Sequence, residues 1–363
     1  MLTPSRLVVA RKRRRMTLAQ LAVASGVSVR SITAFENGHK QPSSDTLEAL
    51  ATAMSFPRPF FEGPPIDEIP IGSVSFRALS KMSALDREAA LGAGQVSALI
   101  NQWNERHFRL PDANVPTLSH LEPEEAAERV RALWGLGEAP IPNMIHLLEA
   151  NGVRVFSLAA DCESIDAYSL RYRGKPFCIL NTRKSGERGR FDAAHELGHL
   201  VLHADDRLAH GVEAEEQANK FASAFLMPRA GILAQSLHDA TPDRILLAKR
   251  KWRVAAVALA YRLHDLGLLS EWKYKAVSKR LAQLGFRRGE PGGITRESSQ
   301  LLGKVFASLR HDPGRISLAD ELSISTDELN LHVFGLVPIV LDGGRQAGPP
   351  GRPQLQLVGA RRR

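Results

Sequence analysis

The stretch Arg190-Phe-Asp-Ala-Ala-His-Glu-Leu-Gly-His-Leu-Val-Leu-His203 decides how the chain is read. Phe191, Ala194, Leu197, Leu200, Val201 and Leu202 leave such a helix almost no polar face, so it must be buried. On it His195 and His199 are four residues apart, which puts both imidazoles on one face within reach of one ion. Glu196 stands one residue further round, where a carboxylate takes a proton from a metal-bound water rather than binding the metal. His203 is expected to support the site or fill the core, because at ~1.5 Å rise per residue it lies about 12 Å along the axis from His195.

A third ligand has to come from elsewhere. Residues 213–228 read as an amphipathic helix stopped by Pro228, with Ala218, Ala222 and Phe225 on its inward stripe. Glu215 continues that stripe and is the first choice. Glu216 is displaced by a further ~100° and is the fallback, and Glu213 is a solvated charge. Tyr168, Tyr172, Arg171 and His203 are candidates for supporting the ligands or stabilising an oxyanion. HELGH followed by Glu215-Glu-Gln-Ala-Asn-Lys-Phe-Ala-Ser-Ala-Phe-Leu-Met-Pro228 resembles the ImmA/IrrE family of zinc metallopeptidases, and so do 166–172 and 175–181 ahead of it. The resemblance covers about 140–230. It implies a zincin-like domain in which His195, His199 and Glu215 hold zinc (Zn2+) and Glu196 is the general base. It also implies a substrate peptide adding to a strand edge. Members of the family commonly cleave a repressor.

The N-terminal segment carries a second pattern. Leu7 and Val8 open a helix that bears the basic run Arg11-Lys-Arg-Arg-Arg15, and Thr17 caps a second helix with Leu18, Leu21 and Ala22 apolar. Gly26 supplies a turn, and Ser28 caps a third helix with Ile32 and Phe35 inward. Two short helices across such a turn form a helix-turn-helix, whose second helix enters the major groove of double-stranded DNA. Ser28, Val29, Arg30, Thr33 and Ala34 are then the base-facing set, with Arg30 able to grip guanine through two hydrogen bonds. Arg11, Arg13, Arg14 and Lys40 are the expected phosphate contacts. Leu18-Ala-Gln-Leu-Ala22, Gly26-Val-Ser28, Ile32, Phe35-Glu-Asn-Gly38, Pro42-Ser43 and Leu47–Leu50-Ala51 resemble the XRE (lambda-repressor-like) family over about 3–56. That family often has a phosphate-binding Gln where Leu18 stands.

Composition bounds the rest. The chain has 363 residues, 44% of them apolar, and a net charge of +9, which suits a globular protein of several domains. Residues 1–40 hold eight basic residues against one acid, and five arginines follow from Arg345 onward, so the body between is slightly acidic. Two cysteines, Cys162 and Cys178, exclude a disulfide scaffold or a Cys-rich metal site. No apolar run reaches the ~20 residues that cross a bilayer, so no membrane partner is expected. The opening residues put charge after the apolar stretch, the reverse of a secretion signal, and cytoplasmic localisation follows.

Proline, glycine and apolar periodicity predict five segments. These are a helix-turn-helix at 1–62, a helical connection at 63–135, the peptidase domain at 136–230, a helical region at 231–340 and a disordered basic tail at 341–363. A strand at 153–156 and a hairpin turning at 173–176 make the fold mainly α with a small β-sheet (α+β). A skeleton like that of the reader recurs at 317–329. There Asp327 and Glu328 would repel phosphate, so it is read as a packing or partner surface. The helix after Lys249-Arg-Lys-Trp-Arg-Val254 is read as packing and substrate-selecting. The two resemblances together imply a DNA-binding regulator of the stress-response or toxin–antitoxin kind, fused to a zinc endopeptidase of narrow specificity. Its substrate would be a repressor or antitoxin-like protein, and a homodimer would suit two DNA half-sites. The competing reading is a transcription factor whose zincin-like domain only senses a ligand or metal.

Overall fold

Alternation along three strands divides the interior in two. The computed structural model describes residues 1–70, 74–76, 83–158, 166–203, 211–286, 289–310 and 317–337. Cys162, the tail expected at 341–363 and part of the 285–291 loop lie outside the described residues. Strands β1 (Val74–Phe76), β2 (Arg154–Leu158), β3 (Ala167–Tyr172) and β4 (Lys175–Asn181) form one mixed sheet in the order β1-β3-β4-β2. Among the described residues only the β2–β4 pair is parallel. The β3–β4 turn is Arg173-Gly174 alone, with φ of 50° and 74°. Two consecutive positive φ values make the two-residue turn whose twist suits a hairpin. Lys175 and Pro176, expected in the turn, are therefore already strand.

Successive side chains on a strand face opposite ways. Phe156, Leu158, Tyr168, Leu170, Phe177 and Ile179 enter one apolar cluster. Val155, Ala167, Cys178 and Leu180 enter the other. With both faces covered, runs such as Phe177-Cys-Ile-Leu180 need no polar alternation.

The first cluster contains α1 (Pro4–Arg13), α2 (Leu18–Ser25), α3 (Val29–Glu36), α4 (Ser44–Met54) and the 24-residue α5 (Ala84–His107). Helices α2 and α3 bend by 114° across Gly26, which takes φ 70°, within the range of a helix-turn-helix. The second cluster holds α6 (Pro123–Leu133), α7 (Met144–Ala150), α8 (Gly186–Leu202), α9 (Val212–Leu226), α10 (Arg229–Leu233), α11 (Pro242–Trp252), α12 (Ala256–Asp265) and α13 (Glu271–Gln283). The chain then returns to the first cluster with α14 (Gln300–Arg310), α15 (Leu318–Leu322) and α16 (Thr326–His332). The two cores thus cut across the five serial segments, because one sheet serves both.

A buried ion cluster ties α1 to α16. Arg13 is fully buried and donates to Glu328 Oε1 at 2.7 Å, while Arg14 donates to Oε2 at 2.6 Å. His332 meets the same carboxylate at 3.1 Å and Ser97 of α5 at 3.0 Å. Burial alone would raise the Glu328 carboxyl, but His332, Arg13 and Arg14 together hold it well below the usual carboxylate range. Removing one member of such a cluster strands a charge, so Glu328→Ala should destabilise the fold by about 3–5 kcal/mol. Exposed Asp327→Ala should cost under about 1 kcal/mol. Because the folded carboxyl is depressed, its contribution is complete above the ordinary carboxylate range and lost as pH falls through the folded value. Urea unfolding of both variants at neutral and acid pH checks both statements.

Candidate metal centre and nucleic-acid interface

Helix α8 is capped by Ser185 and starts at Gly186, one turn before the predicted start. Buried Arg190 anchors it, donating to Glu297 and, at 2.7 Å, to the Ile141 carbonyl. Helix α9 crosses it at Gly198, where an added Cβ would lie 3.1 Å from Phe221 Cδ1 and 3.2 Å from Ala218 Cα. The glycine inside HELGH is therefore what lets the two helices approach.

That approach brings His195, His199 and Glu215 together, with one candidate ligand atom from each lying within 4.8 Å of the others. The two Nε2 atoms are 3.1 Å apart, and each is 3.3 Å from a Glu215 oxygen. Ligands on a tetrahedron with bonds of about 2.0–2.1 Å stand about 3.3 Å from one another, so the triad fits a zinc ion in spacing and in its N/N/O chemistry. Burial raises the Glu215 carboxyl, but the two histidines beside it outweigh that and hold the group at about 2.

The remaining ring nitrogens are also held. His195 Nδ1 donates to Asn219 Oδ1 at 3.1 Å. Gln217 Oε1 accepts from His203 Nε2 at 2.8 Å. His203 Nδ1 is then left to accept from His199 Nδ1 at 3.0 Å. Each ligand ring is thus fixed by a proton on its far nitrogen, and its Nε2 faces Glu215. Burial lowers the His203 pKa, which suits a neutral ring in this chain. Asn219 and Gln217 did not figure among the predicted site residues, although Asn219 lies one turn beyond Glu215 on the same stripe.

The other candidates separate. Glu196 is 1% exposed. Burial raises the Cys178 thiol of β4, and the charges of Glu196 and Asp192 add to the rise. Glu216 and Glu213 are exposed. Arg171 donates to the Leu200 carbonyl of α8 at 3.1 Å. Tyr168 and Tyr172 are corrected: they occupy the opposite face of the sheet. Tyr168 donates to the Ala90 carbonyl of α5 at 2.7 Å, and Tyr172 donates to Asp67 at 3.1 Å. Neither can serve the metal centre, because their register on β3 points them into the other core. Strand β1 pairs with the outer side of β3, so β1 and β2 are the edge strands of the described sheet.

At the reader, Ser28 caps α3, and Val29 and Arg30 are exposed. The Thr33 hydroxyl donates back to the Val29 carbonyl at 2.9 Å, Ala34 is half-buried and Lys40 is exposed. The phosphate contacts expected of Arg11, Arg13 and Arg14 are corrected. Arg11 clamps Glu36 through two bonds of 2.7 and 2.9 Å. Arg13 is buried on Glu328, and Arg14 is shared between Glu328 and the Met54 carbonyl. Lys12 and Arg15 pair with Glu88 and Asp86. The whole basic run is balanced by acids of the same chain, most of them distant in sequence.

Two family models match the chain. Residues 148–264 match the IrrE N-terminal-like domain and residues 9–60 match the helix-turn-helix. The chain therefore joins a helix-turn-helix DNA-binding domain to a domain of the IrrE-like peptidase family. The IrrE-like match contains every residue of the metal triad and runs past Pro228 through α11 into α12. No curated protein matches the chain. Among the described residues no single helix is long and apolar enough to cross a membrane.

Two measurements follow. Asn219→Ala should weaken zinc binding about 10–100-fold, whereas exposed Glu213→Ala should leave it unchanged, as read by competition with a chelator. Because Arg30 and Lys40 are the exposed cations beside α3, log K for DNA against log salt should fall with a slope of only about −2 per chain. A slope near −6 would mean that the basic run leaves its acids.

Proposed function

We propose that the chain is a DNA-binding regulator whose IrrE-like domain is a zinc endopeptidase. The observation that supports it most is the spacing of His195 Nε2, His199 Nε2 and the Glu215 carboxylate, each histidine being oriented by a partner on its other nitrogen. Zinc, when bound there, supplies a Lewis acid that polarises the scissile carbonyl and acidifies water. Glu196 accepts the proton of the attacking water and returns it to the leaving amine. Its burial keeps bulk solvent from that carboxylate. His203 and Gln217 hold the His199 ring through the turnover, and Arg171 lies on the same side of the sheet.

His195 and Glu196 are each 1% exposed, so only a locally extended segment of polypeptide reaches them. That favours narrow specificity for a regulatory protein such as a repressor or an antitoxin-like partner. In the reader, Ser28, Val29, Arg30, Thr33 and Ala34 meet base edges and Lys40 a phosphate, with Arg30 the chief source of sequence preference. A homodimer on two half-sites, working in the cytoplasm, completes this reading.

Co-expression with the products of neighbouring genes, followed by mass spectrometry, tests it. Wild type should cut one partner. Glu196→Gln should cut it about 10²–10⁴ times more slowly with its zinc content unchanged. Partners left intact by zinc-loaded wild type under every inducing condition would replace the peptidase with a sensor.

A further inference from the structure

Helix α3 of the reader presents one cation and several methyl groups to its outer side. Ile32 and Phe35, 0% and 3% exposed, fix the inward side. At about 100° per residue Arg30, Thr33 and Ala34 lie opposite. Val29, 43% exposed, stands beside them at the end of the helix that enters a major groove.

Hydrogen bonds within the reader already occupy most of its polar groups there. The Ser28 hydroxyl donates to Ser31 Oγ at 3.0 Å and accepts from the Ser31 amide at 3.2 Å. The Thr33 hydroxyl donates its one proton to the Val29 carbonyl at 2.9 Å, which leaves its methyl group as the part to offer. Glu36 is clamped by Arg11 at 2.7 and 2.9 Å. Arg30 differs from Arg11, Arg13 and Arg14, being exposed and without a partner among the described residues.

In the major groove the four bases ask for different side chains. Guanine takes a bidentate arginine, and thymine an apolar contact with its 5-methyl group. Adenine takes an amide that donates and accepts at once, and cytosine a carboxylate. Between Ser28 and Glu36 there is no Asn or Gln, and Asn37 caps the far end of α3. The carboxylate of α3, Glu36, is spent on Arg11. Guanine is left for Arg30, and thymine for Val29, Thr33 and Ala34.

We propose that α3 reads a guanine with adjoining thymines, and that it recognises those thymines through their 5-methyl groups, Val29 and Thr33 being the specificity-determining residues. This rests on α3 being the base-facing helix. It makes apolar contact, beside a single hydrogen-bonded base, the source of sequence preference.

The test selects duplexes from a random pool with the full-length chain and then titrates the tightest. The selected half-site should hold a guanine next to thymines. Replacing those thymines by deoxyuridine removes the methyl alone and should weaken binding about fourfold per contacted methyl, whereas the same replacement outside the half-site should change nothing. Val29→Ala, and Thr33→Ser with its hydroxyl bond retained, should each bring the thymine-to-uracil ratio at one position close to one and keep the guanine preference. Arg30→Ala should lose about tenfold of the guanine preference and keep the uracil effect. Selected duplexes without thymine beside guanine, or equal binding after deoxyuridine replacement, overturn the proposal and leave α3 a base-facing helix. No duplex retained even at low salt removes the base-facing assignment and the proposal with it.

Discussion

His195, Glu196 and His199 sit on a helix that has almost no solvent face, and every polar atom buried there needs a partner. The other elements of the IrrE-like domain answer that requirement. Helix α9 brings Glu215, Gln217 and Asn219 to successive positions along one groove, and it can do so only because Gly198 and Ala218 leave room at the crossing. Arg190 and Glu297 fix the far end of α8. A helix so enclosed cannot shift without exposing or stranding charge, which is the rigidity that a site holding an ion and orienting a base requires.

Electrostatics elsewhere follow the same rule at longer range. The five consecutive basic residues of α1 and its end look like a DNA footprint when only neighbouring residues are considered. In the fold they act as cross-links, two of them converging on Glu328 near the far end of the chain. Arg30 and Lys40 remain exposed beside α3, so phosphate neutralisation, the sequence-independent part of DNA binding, has fewer cations to draw on than the composition suggests.

What could be read from the sequence is what depends on local spacing. The HELGH pair declares itself through i, i+4 placement, and Glu215 through its position on an apolar stripe. The helix-turn-helix shows itself through caps and a glycine. Partnerships across hundreds of residues leave no such mark, which is why the sequence alone offers Arg13 and Arg14 as phosphate contacts. The tyrosines of β3 are a different case. Arg171 and Tyr172 are neighbours on a strand and must face opposite ways. Choosing Arg171 for the metal side would have sent Tyr168 and Tyr172 to the other core. Strand β1 is three residues long, too short to show an alternation of its own.

The distance in sequence between Arg13 and Glu328 is 315 residues, and it has a consequence for how the protein is made. At about 5–20 residues per second a ribosome delivers Glu328 roughly 16–60 s after Arg13. Through that interval the N-terminal reader lacks the acid that neutralises its buried arginine and the helices that close its core. A domain synthesised before α16 is therefore among the last to be completed. A chain truncated before α16 would present an unfinished reader however intact its own first sixty residues were.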